Sequence, residues 1–196
     1  MKRDLTTSLL AVVALTVVLG LAYPLAITGI AQVVFPGQAN GSKVTVDGRV
    51  VGSSLIGQDF KGDLRYFQSR PSQTEYSADA TAFSNLGPNS VEARDEVKAN
   101  LGAYLKRERP YDAALTGDGV PVDAVTQSAS GVDPHISQAN ARIQAHRVAA
   151  VRHLPLTKVD ELISDHTDGR FLGLLGEPGV NVLRLNIVLD MEAPPK

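Results

Sequence analysis

The chain has 196 residues, with 19 Lys and Arg against 21 Asp and Glu, a net charge of −2, and no cysteine. That balance is no electrostatic footprint for nucleic acid. Without thiols, disulfides and cysteine catalysis are excluded, but the compartment stays open because a domain of this size does not need disulfides.

Charges open the chain at Lys2, Arg3 and Asp4, and the next one is Lys43. Leu5 to Ser42 is therefore uncharged, with Leu9 to Ala31 its most apolar part. A helix over about 22 of these residues would be about 33 Å long, enough to cross a hydrocarbon core of about 30 Å. A helix is the fitting element because it satisfies its own backbone hydrogen bonds in lipid. Gly29-Ile30-Ala31 before Gln32 also matches a leader-cleavage pattern, but the apolar run exceeds the usual leader core, which favours a retained anchor. Lys2 and Arg3 on one side, against only Lys43 and Arg49 nearby on the other, favour a cytoplasmic N-terminus and an external C-terminal domain. Pro24 should kink the helix. Ala22, Ala26 and Gly29 share one face, where small residues would let a partner helix approach. Ala22, Pro24, Ala26 and Gly29 are accordingly the partner-docking candidates.

Phe35-Pro36-Gly37 ends the span and a polar linker runs to Ser42. Lys43 to Val46 and Arg49 to Val51 flank Asp47-Gly48, a pair suited to a type I′ turn, which predicts a β-hairpin. Ser77 to Ser90 reads as a loop. A helix follows from about Ser90 to Arg107, with Asn89 as N-cap, Glu92 completing a capping box, and Val97, Leu101, Tyr104 and Leu105 as its apolar stripe. Val120 to Thr126 reads as extended. A helix is expected from Asp133-Pro134 to Leu154, then a short one capped by Thr157 and reaching Ile163. Leu183, Leu185, Ile187 and Leu189 alternate with Arg184, Asn186 and Val188, the pattern of a terminal strand. Together these elements predict a mixed α/β (α+β) soluble domain tethered by one N-terminal transmembrane helix. Its parts are a tail over 1–8, the span over 9–31, a linker over 32–42 and the domain over 43–196. Without Lys2, Arg3 and Asp4 the remainder holds 17 basic and 20 acidic residues, a net charge of −3.

Chemistry-bearing motifs are few. No G-x-x-x-x-G-K-[ST] occurs, and Gly169, Gly173, Gly176 and Gly179 do not fit a dinucleotide fingerprint. Of His135, His146, His153 and His166, the second and third share a helical face at i, i+7, but no H-E-x-x-H appears, and no metal site is expected. Ser128-Ala-Ser-Gly-Val-Asp-Pro-His135 holds serine, aspartate and histidine, so a membrane-anchored outer-surface hydrolase is one alternative. Triad members, however, converge from separate elements. The simpler reading is loop chemistry: serines bonding backbone, Gly131 at positive φ, Asp133 capping before Pro134. Gln127, Ser128, Ser130, Asp133 and His135 are also the weak nucleotide candidates.

Several blocks in register carry a resemblance. They are Pro24-Leu-Ala-Ile-Thr-Gly-Ile-Ala-Gln32, Phe35-Pro-Gly-Gln-Ala-Asn-Gly-Ser42, Val51-Gly-Ser-Ser-Leu-Ile-Gly-Gln58 and Tyr66-Phe-Gln-Ser-Arg-Pro-Ser72. They continue with Ser84-Asn-Leu-Gly-Pro88, Val120-Pro-Val-Asp-Ala-Val-Thr126, Ser128 to Ser137 and Leu175-Gly-Glu-Pro-Gly-Val-Asn-Val182. In these the chain resembles the KdpC family, the C subunit of the Kdp potassium-transporting P-type ATPase of bacteria. It departs from the family's usual pattern at Thr81-Ala-Phe83, Ala129, Gln138 and Gly179.

The resemblance implies a multisubunit, ATP-driven potassium importer of the bacterial inner membrane. One larger subunit hydrolyses ATP through an aspartyl-phosphate, and a channel-like subunit selects potassium. The C subunit would serve assembly and act as a catalytic chaperone that raises the ATP affinity of the hydrolysing subunit. It would have no catalytic residue and no cofactor of its own, ATP being met only together with that subunit. An external domain cannot touch cytoplasmic nucleotide, so topology and direct ATP contact exclude each other.

Overall fold

The computed structural model describes residues 2–170 and 172–194. A single helical run, Lys2–Val34, is 33 residues long, apolar and wholly unburied within the chain. It comprises α1 (Lys2–Leu15), a π-helical segment (Thr16–Ala22) and α2 (Tyr23–Val34). The wide segment ends just before Pro24, and the Tyr23 N–H reaches back five residues to the Val18 carbonyl. Proline has no N–H, and its ring crowds the carbonyl four residues back, Gly20 here. A local widening relieves that crowding. The irregularity expected at Pro24 thus takes the form of π turns on its N-terminal side. The helix begins at Lys2, so the segment expected as a tail is helical, and it runs to Val34 rather than Ala31. The linker contains one short turn, α3 (Pro36–Ala39).

β1 (Lys43–Val46) and β2 (Arg49–Ser53) pair as a hairpin. Asp47 and Gly48 take φ of +48° and +75°, the left-handed pair that a type I′ turn requires. The chain divides into two compact units, one up to Val51 and one from Gly52.

In the second unit α4 (Val91–Glu108) is capped by Ser90, whose Oγ accepts from the Ala93 N–H at 3.3 Å. The expected cap, Asn89, lies one residue too early. Tyr104 is buried, and Leu101 and Leu105 pack beside it against Leu115, Ala124 and Val125. The segment expected as extended near Val120 instead forms two 3₁₀ turns, Gly117–Gly119 and Val122–Ala124. This folding aims Asp123 at a helix N-terminus. Its carboxylate accepts from the Ser137 N–H (2.8 Å), the Ser137 hydroxyl (2.7 Å) and the Asn140 amide (3.0 Å). A carboxylate is favoured at that end of the helix dipole.

Ser137 caps α5 (Gln138–Arg152), which therefore starts later than Asp133-Pro134 suggested. His135–Ile136 forms β3 instead. α5 buries Ala141, Ala145 and Val148 at helical spacing and ends on His153 at φ +57°. Pro155, not Thr157, occupies the cap position of α6 (Leu156–Asp165), which buries Val159, Leu162 and Ile163. β4 (Thr167–Asp168) and β5 (Gly179–Asn181) follow, and the small sheet has the order β3-β5-β4, antiparallel throughout.

The expected terminal strand is a helix, α7 (Val182–Glu192), capped by the Asn181 side chain accepting from the Arg184 N–H. Val182, Leu185, Asn186 and Leu189 are buried at helical spacing. Asn186 looked like an outward polar position and so gave false alternation; it lies in the core. α5, α6, α7 and the sheet close one hydrophobic core around Phe67, Ile136, Val148, Ile163, Val180 and Leu185.

Candidate functional site

Within the second unit the extended segment around Tyr66 to Ser72 meets two other resemblance blocks, through Gln58 and through Gly131 and Asp133. Its backbone has no strand partner, and two buried amides replace one. Asn186 Oδ1 accepts from the Phe67 N–H, and its Nδ2 donates to the Phe67 carbonyl, both at 2.9 Å. Gln144 does the same for Gln68, at 2.7 and 3.0 Å. Two arginines hold the preceding carbonyls. Arg147 donates to Leu64 (2.5 Å) and Tyr66 (2.9 Å), and Arg152 donates to Arg65 (2.7 Å). Arg147 is fully buried and paired with the equally buried Glu108 at 3.0 Å, which Arg107 also meets at 2.7 Å. Burial draws the Arg147 pKa below the ordinary guanidinium value, against the pull of Glu108.

From this strap Arg70 reaches the serine-rich segment that holds the weak nucleotide candidates. Its guanidinium donates to Asp133 Oδ2 at 3.0 Å and to the Gln127 carbonyl at 3.2 Å. Asp133 Oδ1 accepts from the His135 N–H at 3.0 Å. Ser128 and Ser130 bond each other through their hydroxyls at 2.9 Å. Ser128 Oγ also accepts from the Ser130 N–H, and Ser130 Oγ from the Val132 N–H. The Ser72 hydroxyl donates to the Gly131 carbonyl at 2.5 Å. Gly131 sits at φ +72°, where a side chain is strained. At Gly57 the reason is space: a Cβ there would lie 2.5 Å from the Asp133 carbonyl oxygen. The Gln127 amide donates to Gln73 and Glu96.

His135 turns the other way, with Nε2 3.1 Å from Asp168 Oδ2 and Nδ1 4.0 Å from Asp133. Among the observed hydrogen bonds none joins either serine to the His135 ring, so Ser128, Ser130, Asp133 and His135 form a folded loop without triad geometry. His146 is half-buried in α5, His153 is the helix terminus, and the His166 ring meets the Leu162 carbonyl. Among the described residues no group of three or more His, Cys, Asp or Glu converges to hold a metal.

Beside the strap lies a polar cavity of about 260 Å³, lined by Gln68, Arg70, Tyr76, Asn100, Tyr104 and Arg107 among others. Burial pushes the Tyr76 hydroxyl up to about 12 and the Tyr104 hydroxyl higher still. The Tyr76 hydroxyl donates to the Arg70 carbonyl, and the Tyr104 hydroxyl to Asn140. Both phenols therefore stay protonated and serve as structural donors. Sequence reasoning missed this cavity, whose residues come from four separate segments with no shared spacing.

The docking candidates Ala22, Pro24, Ala26 and Gly29 all lie on the apolar helix. They are exposed, and a Cβ at Gly29 would meet nothing within 4 Å. The molecule is thus one membrane-crossing candidate helix followed by an α+β unit in which Ser128, Ser130, Asp133 and His135 bond within the fold, while Arg70 Nε and Gln127 Oε1 are buried without a hydrogen-bond partner.

Comparison with known proteins agrees with that description. The family model described as "KdpC: K+-transporting ATPase, c chain" matches residues 5–191. A potassium-transporting ATPase KdpC subunit of Polaromonas naphthalenivorans is 51% identical over 99% of this chain and 97% of the relative. That of Bradyrhizobium diazoefficiens is 46% identical over 98% and 99%. That of Mycobacterium tuberculosis is 47% identical over 97% and 99%. The chain belongs to the KdpC family and is a component of a potassium-transporting ATPase complex.

Proposed function

We propose that the chain is the accessory, non-hydrolysing subunit of a P-type potassium importer in a bacterial inner membrane, needed for assembly and stability of the complex. The observation that carries this is a contrast. Ser128, Ser130, Asp133 and His135 are hydrogen-bonded within the fold, whereas the apolar helix is unburied within the chain. Ala22, Ala26 and Gly29 on that helix fit the close approach of a helix from a larger subunit, and a channel-like subunit is the fitting partner. Lys2 and Arg3 before the span support a cytoplasmic N-terminus and an external α+β unit that caps the outer face of that subunit. In this arrangement the chain holds no nucleotide. Any rise in the ATP affinity of the hydrolysing subunit passes through the assembled complex, as a coupling between sites.

Absence of cysteine makes the test clean. Ala80→Cys lies in an exposed loop. A membrane-impermeant maleimide should label it in sealed right-side-out vesicles without permeabilisation. A protected cysteine overturns the external placement and revives direct ATP contact through Gln127 to His135. Co-purification with two much larger membrane proteins, and loss of potassium-stimulated ATPase on deletion, test the subunit role. Gly29→Leu should reduce that co-purification.

A further inference from the structure

The middle of the apolar helix holds a backbone carbonyl that the helix does not satisfy. In the π-helical segment (Thr16–Ala22) N–H groups reach five residues back, and the Tyr23 N–H ends the series on the Val18 carbonyl. The next carbonyl is that of Leu19, and the helix offers it two donors. The N–H four residues on is that of Tyr23, already spent on Val18. The N–H five residues on would belong to Pro24, which has none. Side chains of the following turn do not replace it, because Pro24, Leu25, Ala26 and Ile27 carry no donor. Leu19 stands near the middle of a 33-residue helix that is unburied within the chain. In the span read over 9–31 it lies about 15 Å or more from either edge. No water reaches that depth in lipid, and a backbone group left unsatisfied there must be covered by protein or by a water-filled cavity. The approach is open, since Ala22, one turn on, and Ala26 beyond it present only methyl groups.

We infer that the Leu19 carbonyl is a docking point for a neutral hydrogen-bond donor, a hydroxyl or amide side chain, on a membrane helix of one of the larger subunits. This rests on the subunit reading above and adds what the partner helix must carry at mid-membrane depth. The chemistry chooses the occupant. Lipid tails have no donor to give, whereas hydroxyl and amide side chains bond across membrane helices. A second copy is a poor match. A symmetric pair with both N-termini on one side brings equal depths together, so the acceptor meets its own twin. The nearest aliphatic hydroxyl of such a copy, on Thr16, leans towards the N-terminus, while carbonyl oxygens point towards the C-terminus. Only the Tyr23 phenol of a second copy remains, and it can be removed.

The test places the full chain, labelled with carbonyl-¹³C leucine and ¹⁵N glycine, in liposomes alone and then with unlabelled larger subunits. Leu-Gly pairs start at Leu19, Leu86, Leu101, Leu172 and Leu175, and Gly20→Ala identifies the first by its loss. In solid-state NMR the Leu19 carbonyl should lie upfield in the chain alone and move downfield on assembly, as carbonyls do on accepting a hydrogen bond. Pro24→Ala restores a donor within the helix. Its Leu19 resonance should be downfield in the chain alone and should not move on assembly. The partner's donor then loses its acceptor, so recovery of the complex in mild detergent should fall about three- to thirtyfold. A wild-type resonance that stays put on assembly, or unchanged recovery with Pro24→Ala, overturns the inference. So does a resonance already downfield in the chain alone, and its return upfield in Tyr23→Phe would assign the donor to a second copy. A resonance that moves on assembly while in contact with water protons assigns the site to a wet cavity and also overturns it. If the wild-type chain recovers no larger subunit, the subunit reading fails first.

Discussion

Replacing Arg147 with methionine probes the centre of the second unit. The guanidinium is 0% exposed and spends its donors on Glu108, the carbonyls of Leu64 and Tyr66, and Gln144 Oε1. Methionine nearly fills the space, so little cavity term enters. What remains is a buried Glu108 left with Arg107 alone, and the Leu64 carbonyl without its donor, while the Tyr66 carbonyl keeps the Gln68 amide at 3.1 Å. Removing one partner of a buried pair costs about 3–5 kcal/mol, and the orphaned carbonyl adds about 1 kcal/mol. A loss of about 4–6 kcal/mol is expected. At about 2–4 °C per kcal/mol for a chain of this size, the midpoint should fall by roughly 8–24 °C. Circular dichroism of the full chain in detergent, heated and in parallel titrated with urea, reads the change. Adding Glu108→Leu should recover part of the loss, because no charge is then left buried and Arg107, partly exposed, can turn to water. A shift below about 1 kcal/mol, or a double variant worse than Arg147→Met alone, would refute the reasoning.

Asn186→Leu should cost about 2–4 kcal/mol by orphaning both backbone groups of Phe67, read by faster amide exchange at Phe67 than at residues of α6. Gly57→Ala should cost about 1–3 kcal/mol through overlap with the Asp133 carbonyl. Gly102→Ala, exposed in α4 with open space around it, should stabilise by up to about 1 kcal/mol; urea midpoints check both. Tyr76 sets an alkaline limit. Its folded pKa is raised to about 12, so its contribution is complete below about pH 10 and is lost as pH rises towards 12. Tyrosinate absorbance should show a late step that coincides with unfolding and is smaller in Tyr76→Phe.

Much of the architecture was legible because it rests on local patterns. The uncharged run gave the apolar helix, Asp47-Gly48 gave the hairpin turn, and the stripe from Leu101 to Leu105 gave α4. The misreadings have a shared physical origin. Asn186 and Gln144 are polar yet buried, because they serve a distant backbone, and period-based reading places polar residues outside. That turned α7 into an expected strand and hid the clamp on the strap. Asp123 likewise belongs to a turn only because α5 needs its carboxylate. For the serine-rich loop, the chemistry was readable as turn-forming, and the structure bonds it that way. Its link to Arg70, 63 residues upstream of Asp133, has no local signal.

The amide clamps also impose an order on synthesis. Phe67 waits for Asn186, 119 positions later, and Gln68 for Gln144, 76 positions later. Chains emerge N-terminus first, so the apolar helix is ready for the bilayer long before the strap can close. Until α7 has been made, Phe67 lacks the amide with which both its backbone groups pair. A chain truncated before Asn186 would keep the apolar helix and leave the strap open.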